Sequence, residues 1–297
     1  MGVSVMSKRL PKGDMGILDF QRKFDTEDKC REFFLKLRYP NGFVCPHCGG
    51  KDHGFVKTRN LIRCKSCRKQ ISVTSGTVFH RTHLTLIQIV WSMYLFANDK
   101  RGCSAIQLQR MLKVNYDTAL YILRRLRKAM KNRDDKYMLE GVVELDDTYV
   151  GTSTHGKKRG RGTEKSKVIV AVSKTVKNAI QFVRMAVVKD LKATTFGKFA
   201  LCNIETGSTI ESDNCASLKS GLAEGYFVHY ETFSPEKEML VALHTAISNM
   251  KSLINGTYHG VTKEYLQEYL DEFVFRFNRR NYNEHLFERL AVAVFES

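Results

Sequence analysis

The chain has 297 residues, 43% hydrophobic and 27% charged. That is the composition of a globular protein with material for two domains, and it excludes wholesale disorder or a collagen-like repeat. Lys and Arg number 48 against 31 Asp and Glu, a formal charge of +17, which suits a polyanionic partner, most commonly nucleic acid.

Met1 to Gly16 is polar and lacks the apolar stretch of a secretory leader. Met6 stands where a myristoylation signal starting at Gly2 needs Ser or Thr. The longest uncharged apolar run, Leu84 to Asn98, is interrupted by Thr85, Gln88 and Ser92. It falls short of the roughly 20 apolar residues of a membrane span and reads as a buried helix carrying Trp91. The expected location is cytoplasmic and nucleoid-associated, with no membrane partner. There the 8 cysteines serve as metal ligands or buried thiols, not disulfides.

In chain order, Thr26 to Leu37 predicts a short helix with Phe33, Phe34 and Leu37 on one face. Cys45-Pro46-His47-Cys48 and Cys64-Lys65-Ser66-Cys67 follow, two C-x2-C pairs flanking the short strands Phe55-Val56 and Leu61-Ile62. Two residues between cysteines turn both sulfurs onto one ion, so Cys45, Cys48, Cys64 and Cys67 are the expected ligands of a structural Zn²⁺ in a zinc ribbon. His47 and His53 are expected at the surface. Cys30, Cys103, Cys202 and Cys215 are read as buried thiols.

Ser104 to Leu112 and Thr118 to Met130 predict two helices joined by a short break, with Ser104 and Asp117 as N-caps, the layout of a helix-turn-helix. Residues 100–133 hold ten Lys or Arg and one acid, Asp117. Arg124, Arg125, Arg127 and Lys128 on the second helix are the candidate DNA contacts. The competing reading is a basic solvated helix face.

From Gly141 strands take over: 142–146, 168–172, 180–188, 208–212 ending at Asp213, and 227–230. Helices are expected over 191–199, 216–224 and 238–254. The order β-β-β-α-β-α-β-α predicts a ribonuclease-H-like domain. Asp146 ends the first strand and Asp213 the fourth, which would be neighbours at the sheet centre. Two carboxylates converging there suit Mg²⁺ and phosphodiester chemistry. Read singly, Asp146, Asp147 and Asp213 are also ordinary strand-end residues. Thr154 to Thr163, with Lys157, Lys158 and Arg159, is a Gly-rich basic loop able to lie along a DNA backbone. Phe273, Phe275 and Phe277, interleaved with Arg276, Arg279 and Arg280, are expected in the core.

Seven blocks, C-P-H-C-G (45–49), R-C-K-S-C (63–67), V-E-L-D-D-T-Y-V-G (143–151), E-S-D-N (211–214), H-T-A-I-S-N-M-K (244–251), N-G-T-Y-H-G-V (255–261) and Y-L-D-E-F-V-F-R-F-N-R-R (269–280), carry a resemblance. The sequence resembles the zinc-ribbon DDE transposases of bacterial insertion sequences, the ISXO2-like group related to the Merlin transposases. The resemblance implies an α+β, multidomain chain: short helix plus zinc ribbon over 1–80, a helical helix-turn-helix region over 81–138, and a ribonuclease-H-like catalytic domain over 139–297. It implies a DNA transposase that binds terminal inverted repeats and performs Mg²⁺-dependent strand cleavage and transfer, with Mn²⁺ able to substitute. Its partner would be double-stranded DNA, transposon ends and target, on which it would assemble as a homo-oligomer. By motif match the catalytic aspartates are Asp146 and Asp213. Relatives place a third acid, Glu, seven residues before the lysine matching Lys251. Here that position is His244, with Asn249 the other candidate; Glu236 and Glu238 rank below them. Lys251 would contact a phosphate. A catalytically silent DNA-binding protein is the alternative.

Overall fold

The computed structural model describes residues 15–151, 165–213, 222, 225–231 and 239–296. They form two compact units, one of residues up to Asn98 together with 282–296, the other of 99–281.

In the first unit, helices α1 (Ile17–Lys23) and α2 (Glu27–Arg38) lead into a three-stranded antiparallel sheet of β1 (His53–Val56), β2 (Leu61–Cys64) and β3 (Gln70–Ser72). Thr26 caps α2 by accepting from the Lys29 N–H at 3.3 Å. The expected apolar helix is α3 (Leu86–Asn98). Its first amides donate to Glu27, Leu86 at 3.1 Å and Ile87 at 3.0 Å, so an α2 carboxylate caps it from outside. Phe20, Phe24, Phe33, Trp91 and Tyr94 pack with Phe287 of the C-terminal helix α9 (Leu286–Phe295). This aromatic knot is the core of a unit whose sheet is too small to supply one.

The second unit begins with α4 (Ala105–Leu112) and α5 (Tyr116–Asp134). Ser104 caps α4 as expected, accepting from Gln107 N–H at 3.2 Å. Asp117 does not cap α5. The cap position is Asn115, and Asp117 sits in the first turn, where its charge still suits the helix N-terminus.

A five-stranded sheet follows: β4 (Val142–Val150), β5 (Ser166–Lys174), β6 (Ile180–Val188), β7 (Thr209–Asp213) and β8 (Phe227–Glu231), in the order β6-β5-β4-β7-β8. β4, β5 and β6 are antiparallel neighbours; β7 and β8 run parallel to β4. Three antiparallel strands with two parallel ones beyond the first is the ribonuclease-H-like layout, and the fold is α+β with a zinc-ribbon N-terminus. Side chains alternate along a strand, so each face has its own core. Val143, Leu145, Ile169, Ala171 and Ile210 face α6 (Ala193–Asn203) through Phe196, Phe199 and Ala200. Val150, Val168, Val170, Val172 and Val183 face α7 (Val241–Thr257) and α8 (Leu266–Asn278). The helix expected over 216–224 and Cys215 lie outside the described residues, apart from a buried Leu222.

Strand β6 lies at the sheet edge, where unpaired backbone groups invite a foreign strand. Here α8 covers it. Asn278 exchanges hydrogen bonds with Val183, accepting its N–H at 2.8 Å and donating to its carbonyl at 3.1 Å. Gln267 accepts from Val187 N–H at 2.8 Å and donates to the Met185 carbonyl at 3.2 Å. Arg280 donates to the carbonyls of Ile180 and Gln181. The F-N-R-R block thus seals an edge, and Phe273 and Phe275 are core residues as expected.

Candidate active site and zinc knuckles

Asp146 lies in the middle of β4, which runs four residues beyond it, and not at its end as the sequence pattern suggested. The strand was read short because Thr148, Tyr149 and Val150 follow two aspartates, which are poor strand formers. Asp213 is the last residue of β7. Glu144 pairs with Glu211 across these parallel strands, and two residues further in the same register Asp146 comes alongside Asp213. Both share the parity of residues facing α7. Burial first, then the charges of Asp213 and Asp147, push the Asp146 carboxyl up to about 7, although Asp147 N–H donates to its Oδ1 at 2.7 Å. Asp213 Oδ1 is buried without a hydrogen-bond partner among the described residues. A carboxylate oxygen left bare beside a second carboxylate is a donor set suited to a hard divalent cation.

His244 and Asn249 lie on the exposed side of α7, whose buried face is Ala242, Leu243, Ala246, Ile247 and Met250. Among the described residues, the only group of three or more His, Cys, Asp or Glu placed to hold a metal is the cysteine set. Lys251 is half-buried; burial, then Lys165, makes its ammonium easier to deprotonate. Lys157, Lys158, Arg159, Glu236 and Glu238 lie outside the described residues.

The ligand atoms of Cys45, Cys48, Cys64 and Cys67 lie within 4.8 Å of one another. Cys45 and Cys67 sulfurs are 3.7 Å apart, Cys48 and Cys64 sulfurs 3.6 Å. A tetrahedral Zn–S distance of about 2.3 Å gives sulfur separations of about 3.8 Å, so the set fits zinc. The knuckles share one geometry. In each, the first cysteine N–H donates five residues on, Cys45 to Gly50 and Cys64 to Lys69, and the residue after the second cysteine returns a bond, Gly49 to Cys45 and Arg68 to Cys64. That residue is left-handed in both, φ 72° at Gly49 and 61° at Arg68, so the second knuckle places an ordinary residue where the first uses glycine. Backbone N–H groups, that of Cys67 first, hold the Cys64 thiol down to about 6. Cys48, although Gly50 N–H donates to it, is pushed up to about 12 by its neighbours' sulfurs. Of the isolated cysteines, Cys30 and Cys103 are buried as expected, but Cys202 is exposed on the outer side of α6. His47 is exposed, and His53 is half-buried against Phe43 and Phe55.

The four candidate DNA contacts of α5 divide. Arg127 is a correction: only 1% exposed, it donates to Glu272 of α8 at 2.9 Å and lies 3.9 Å from the Tyr269 ring centre. Glu272 also accepts from Arg276 and Tyr258, making a buried ionic hub. The signal was present, because Leu123, Leu126 and Met130 are buried at helical spacing around Arg127. Arg124 is engaged by Tyr265 at 4.1 Å and Glu268 at 3.8 Å. Arg125 lies over the Tyr121 ring at 4.8 Å, with no acidic partner among the contacts described, and Lys128 is exposed. Sequence reasoning also missed Glu144, Lys174 and Glu211, which join β4, β5 and β7 beside the aspartate pair.

Fold and site define an α+β chain with a zinc ribbon and a ribonuclease-H-like sheet that carries paired central carboxylates. Comparison with known proteins adds to this. Residues 138–278 match the ISXO2-like transposase domain, and residues 25–70 match the transposase zinc-ribbon domain. The two matches fall on successive parts of the chain, and both are to domains of the group its motifs resemble. A curated relative, an uncharacterized protein in transposable element ISH50 of Halobacterium salinarum, is 26% identical over 142 residues. That match covers 46% of this chain and 47% of the relative, so the chain spans about half the length of the curated relative it matches. Among solved structures, the Mos1 transposase paired-end complex with left transposon end aligns at 11% identity and TM-score 0.27, over 68% of this chain and 78% of that one. The Mos1 mariner paired-end complex with Mn aligns at 13% identity and TM-score 0.28, over 70% and 78%. No helix among the described residues is long and apolar enough to cross a membrane.

Proposed function

We propose that this chain is a DNA transposase that binds the ends of its mobile element and performs metal-dependent strand cleavage and transfer. The observation that carries the reading is the juxtaposition of Asp146 and Asp213 on neighbouring central strands, with Asp213 Oδ1 buried and unpartnered among the described residues. The family match over residues 138–278 supports it. Asp146 and Asp213 would hold Mg²⁺ or Mn²⁺, which when bound activates a water or 3′-hydroxyl and stabilises the leaving oxygen. The chain's own part is to hold the two carboxylates side by side and partly out of water. His244 or Asn249 completes the site once DNA is in place. The cysteine quartet holds a structural Zn²⁺ with no open position for chemistry. Arg125, Lys128 and Lys251, with Lys157, Lys158 and Arg159, contact phosphates of double-stranded DNA, and the protein acts as a homo-oligomer on paired ends.

The test is strand cleavage of an end-containing duplex in Mg²⁺. Asp146→Asn and Asp213→Asn each abolish cleavage and leave end binding intact. One observation favours a second reading: where the resemblance calls for Glu, the chain has His244, which brings no carboxylate. If the unaltered protein binds ends and cleaves in neither Mg²⁺ nor Mn²⁺, it is a silent DNA-binding member of the family.

A further inference from the structure

The strands carrying Asp146 and Asp213 repeat one pattern, Glu144-Leu145-Asp146 and Glu211-Ser212-Asp213, with Glu144 opposite Glu211. Four carboxylates therefore share one sheet face within two register steps, an arrangement that like charges oppose. Lys174, the last residue of β5, reaches between the two glutamates. Its Nζ is 3.0 Å from Glu144 Oε1 and 2.5 Å from Glu211 Oε2. The Lys174 and Glu144 side chains are 9% and 4% exposed, so this ammonium bridges carboxylates largely out of water.

Glu144 has a second attachment. Its Oε2 accepts the Leu243 N–H at 2.7 Å, in the first turn of α7. Leu240, which precedes that helix, has φ +49° and gives no side-chain cap. The sheet itself therefore supplies the cap and fixes where α7 starts. On β7, Ser212 Oγ donates to the Leu145 carbonyl at 2.7 Å, a second tie between the strands next to both aspartates.

We propose that Lys174, Glu144 and Glu211 form a positioning triad that sets the separation of Asp146 and Asp213 and seats the first turn of α7 beside them. This rests on the reading of the aspartate pair as a metal site. The ammonium clamps two carboxylates two residues before Asp146 and Asp213, the pair that would hold a divalent cation. A buried ion pair contributes little net stability but fixes geometry, which is what a two-carboxylate site needs. None of the three residues touches the reacting atoms; they act through Asp146 and Asp213.

The test is Mn²⁺ binding to the full chain without DNA, followed by the electron paramagnetic resonance signal of free Mn²⁺, beside thermal melting. Glu211→Gln breaks one limb at a side chain 37% exposed, so folding is retained. The double variant Lys174→Met/Glu144→Leu replaces the buried pair with apolar groups and keeps the fold, because the one carboxylate left without a partner, Glu211, is 37% exposed. Both variants are expected to melt within a few degrees of the parent and to bind Mn²⁺ at least about tenfold more weakly, the usual effect of losing a ligand-orienting partner. The double variant also loses exchange protection at the Leu243 amide. Asp146→Asn is the control. If it abolishes Mn²⁺ binding while both triad variants bind as tightly as the parent, the triad proposal is overturned and the metal site stands. If Asp146→Asn binds Mn²⁺ like the parent, the metal-site reading fails first and the triad loses its object.

Discussion

The zinc knuckles and the aspartate pair both gather side chains of metal-ligating type, and they are built by opposite routes. Each knuckle is local: two cysteines three residues apart, a left-handed residue after the second, and hydrogen bonds that close within five residues. Its geometry follows from a short stretch of chain. The aspartate pair is global. Residues 146 and 213 meet because β7 pairs parallel to β4 in one register, and a slip of a single residue would send Asp213 to the α6 face. The first kind of site can organise a region with little core of its own; the second needs a finished fold around it.

The largest expected effect breaks the local site. Cys64→Ser, or zinc removal by chelation, should unfold the ribbon strands and leave the five-stranded sheet intact, since that sheet has its own two-sided core. Zinc content measured with the loss of β1–β3 exchange protection checks this. Protein purified without chelator and free of zinc would contradict it. Next comes the global site. Asp146→Asn and Asp213→Asn should each lower the cleavage rate by several orders of magnitude while end affinity stays within about twofold.

This contrast explains what could be read from sequence. The cysteine spacing announces its chemistry, and alternating apolar residues announced the strands of the sheet, with β6 at its full span. Asp146 was assigned to a strand end because strand length depends on sheet neighbours that sequence does not show. Glu144, Glu211 and Lys174 escaped notice because Lys174 lies 30 residues from one partner and 37 from the other. Arg127 was read as a DNA contact because charge was weighed and helical position was not. Its partner Glu272 is 145 residues away.

Arg127 sharpens the comparison between buried and exposed cations on one helix. Arg127→Met strips a buried pair of one member and should cost about 3–5 kcal/mol, read by urea unfolding. The same change at Arg125 should stay within about 0.5 kcal/mol. Equal costs would mean that α5 does not pack against α8 as described.

A smaller effect concerns pH in the metal-free protein. In the folded chain Asp146 keeps its proton up to about pH 7; unfolded, it releases it near 3.8. Between those values the folded state holds the extra proton, so this group makes stability fall as pH rises from about 4 to 7. Asp271, pushed up to about 6 chiefly by burial, adds a slope of the same sign ending sooner. Asp146→Asn should remove the fall between pH 6 and 7 and make the fall below pH 6 shallower, leaving there the share of Asp271. Saturating Mg²⁺ should do the same in the parent, because a bound cation holds the carboxylate ionised.

The smallest effect is a change of slope. Each lysine or arginine on a phosphate releases a counterion, so neutralising one should flatten the dependence of log affinity on log salt by about one unit. Lys128 is exposed and Arg125 lies over the Tyr121 ring with no acidic partner among the contacts described, so Lys128→Ala and Arg125→Ala should each flatten it. Arg124 is held by Glu268 and Tyr265, and Arg124→Ala should leave the slope unchanged. The three variants carry the same charge change on one helix and differ only in the direction of the side chain. If Arg124→Ala flattens the slope as much as Lys128→Ala, the helix presents a different face to DNA than its packing on α8 implies. If none of the three does, DNA lies elsewhere, and the ribbon, with Lys51, Arg59, Arg63, Lys65, Arg68 and Lys69 against Asp52, is the next surface to neutralise.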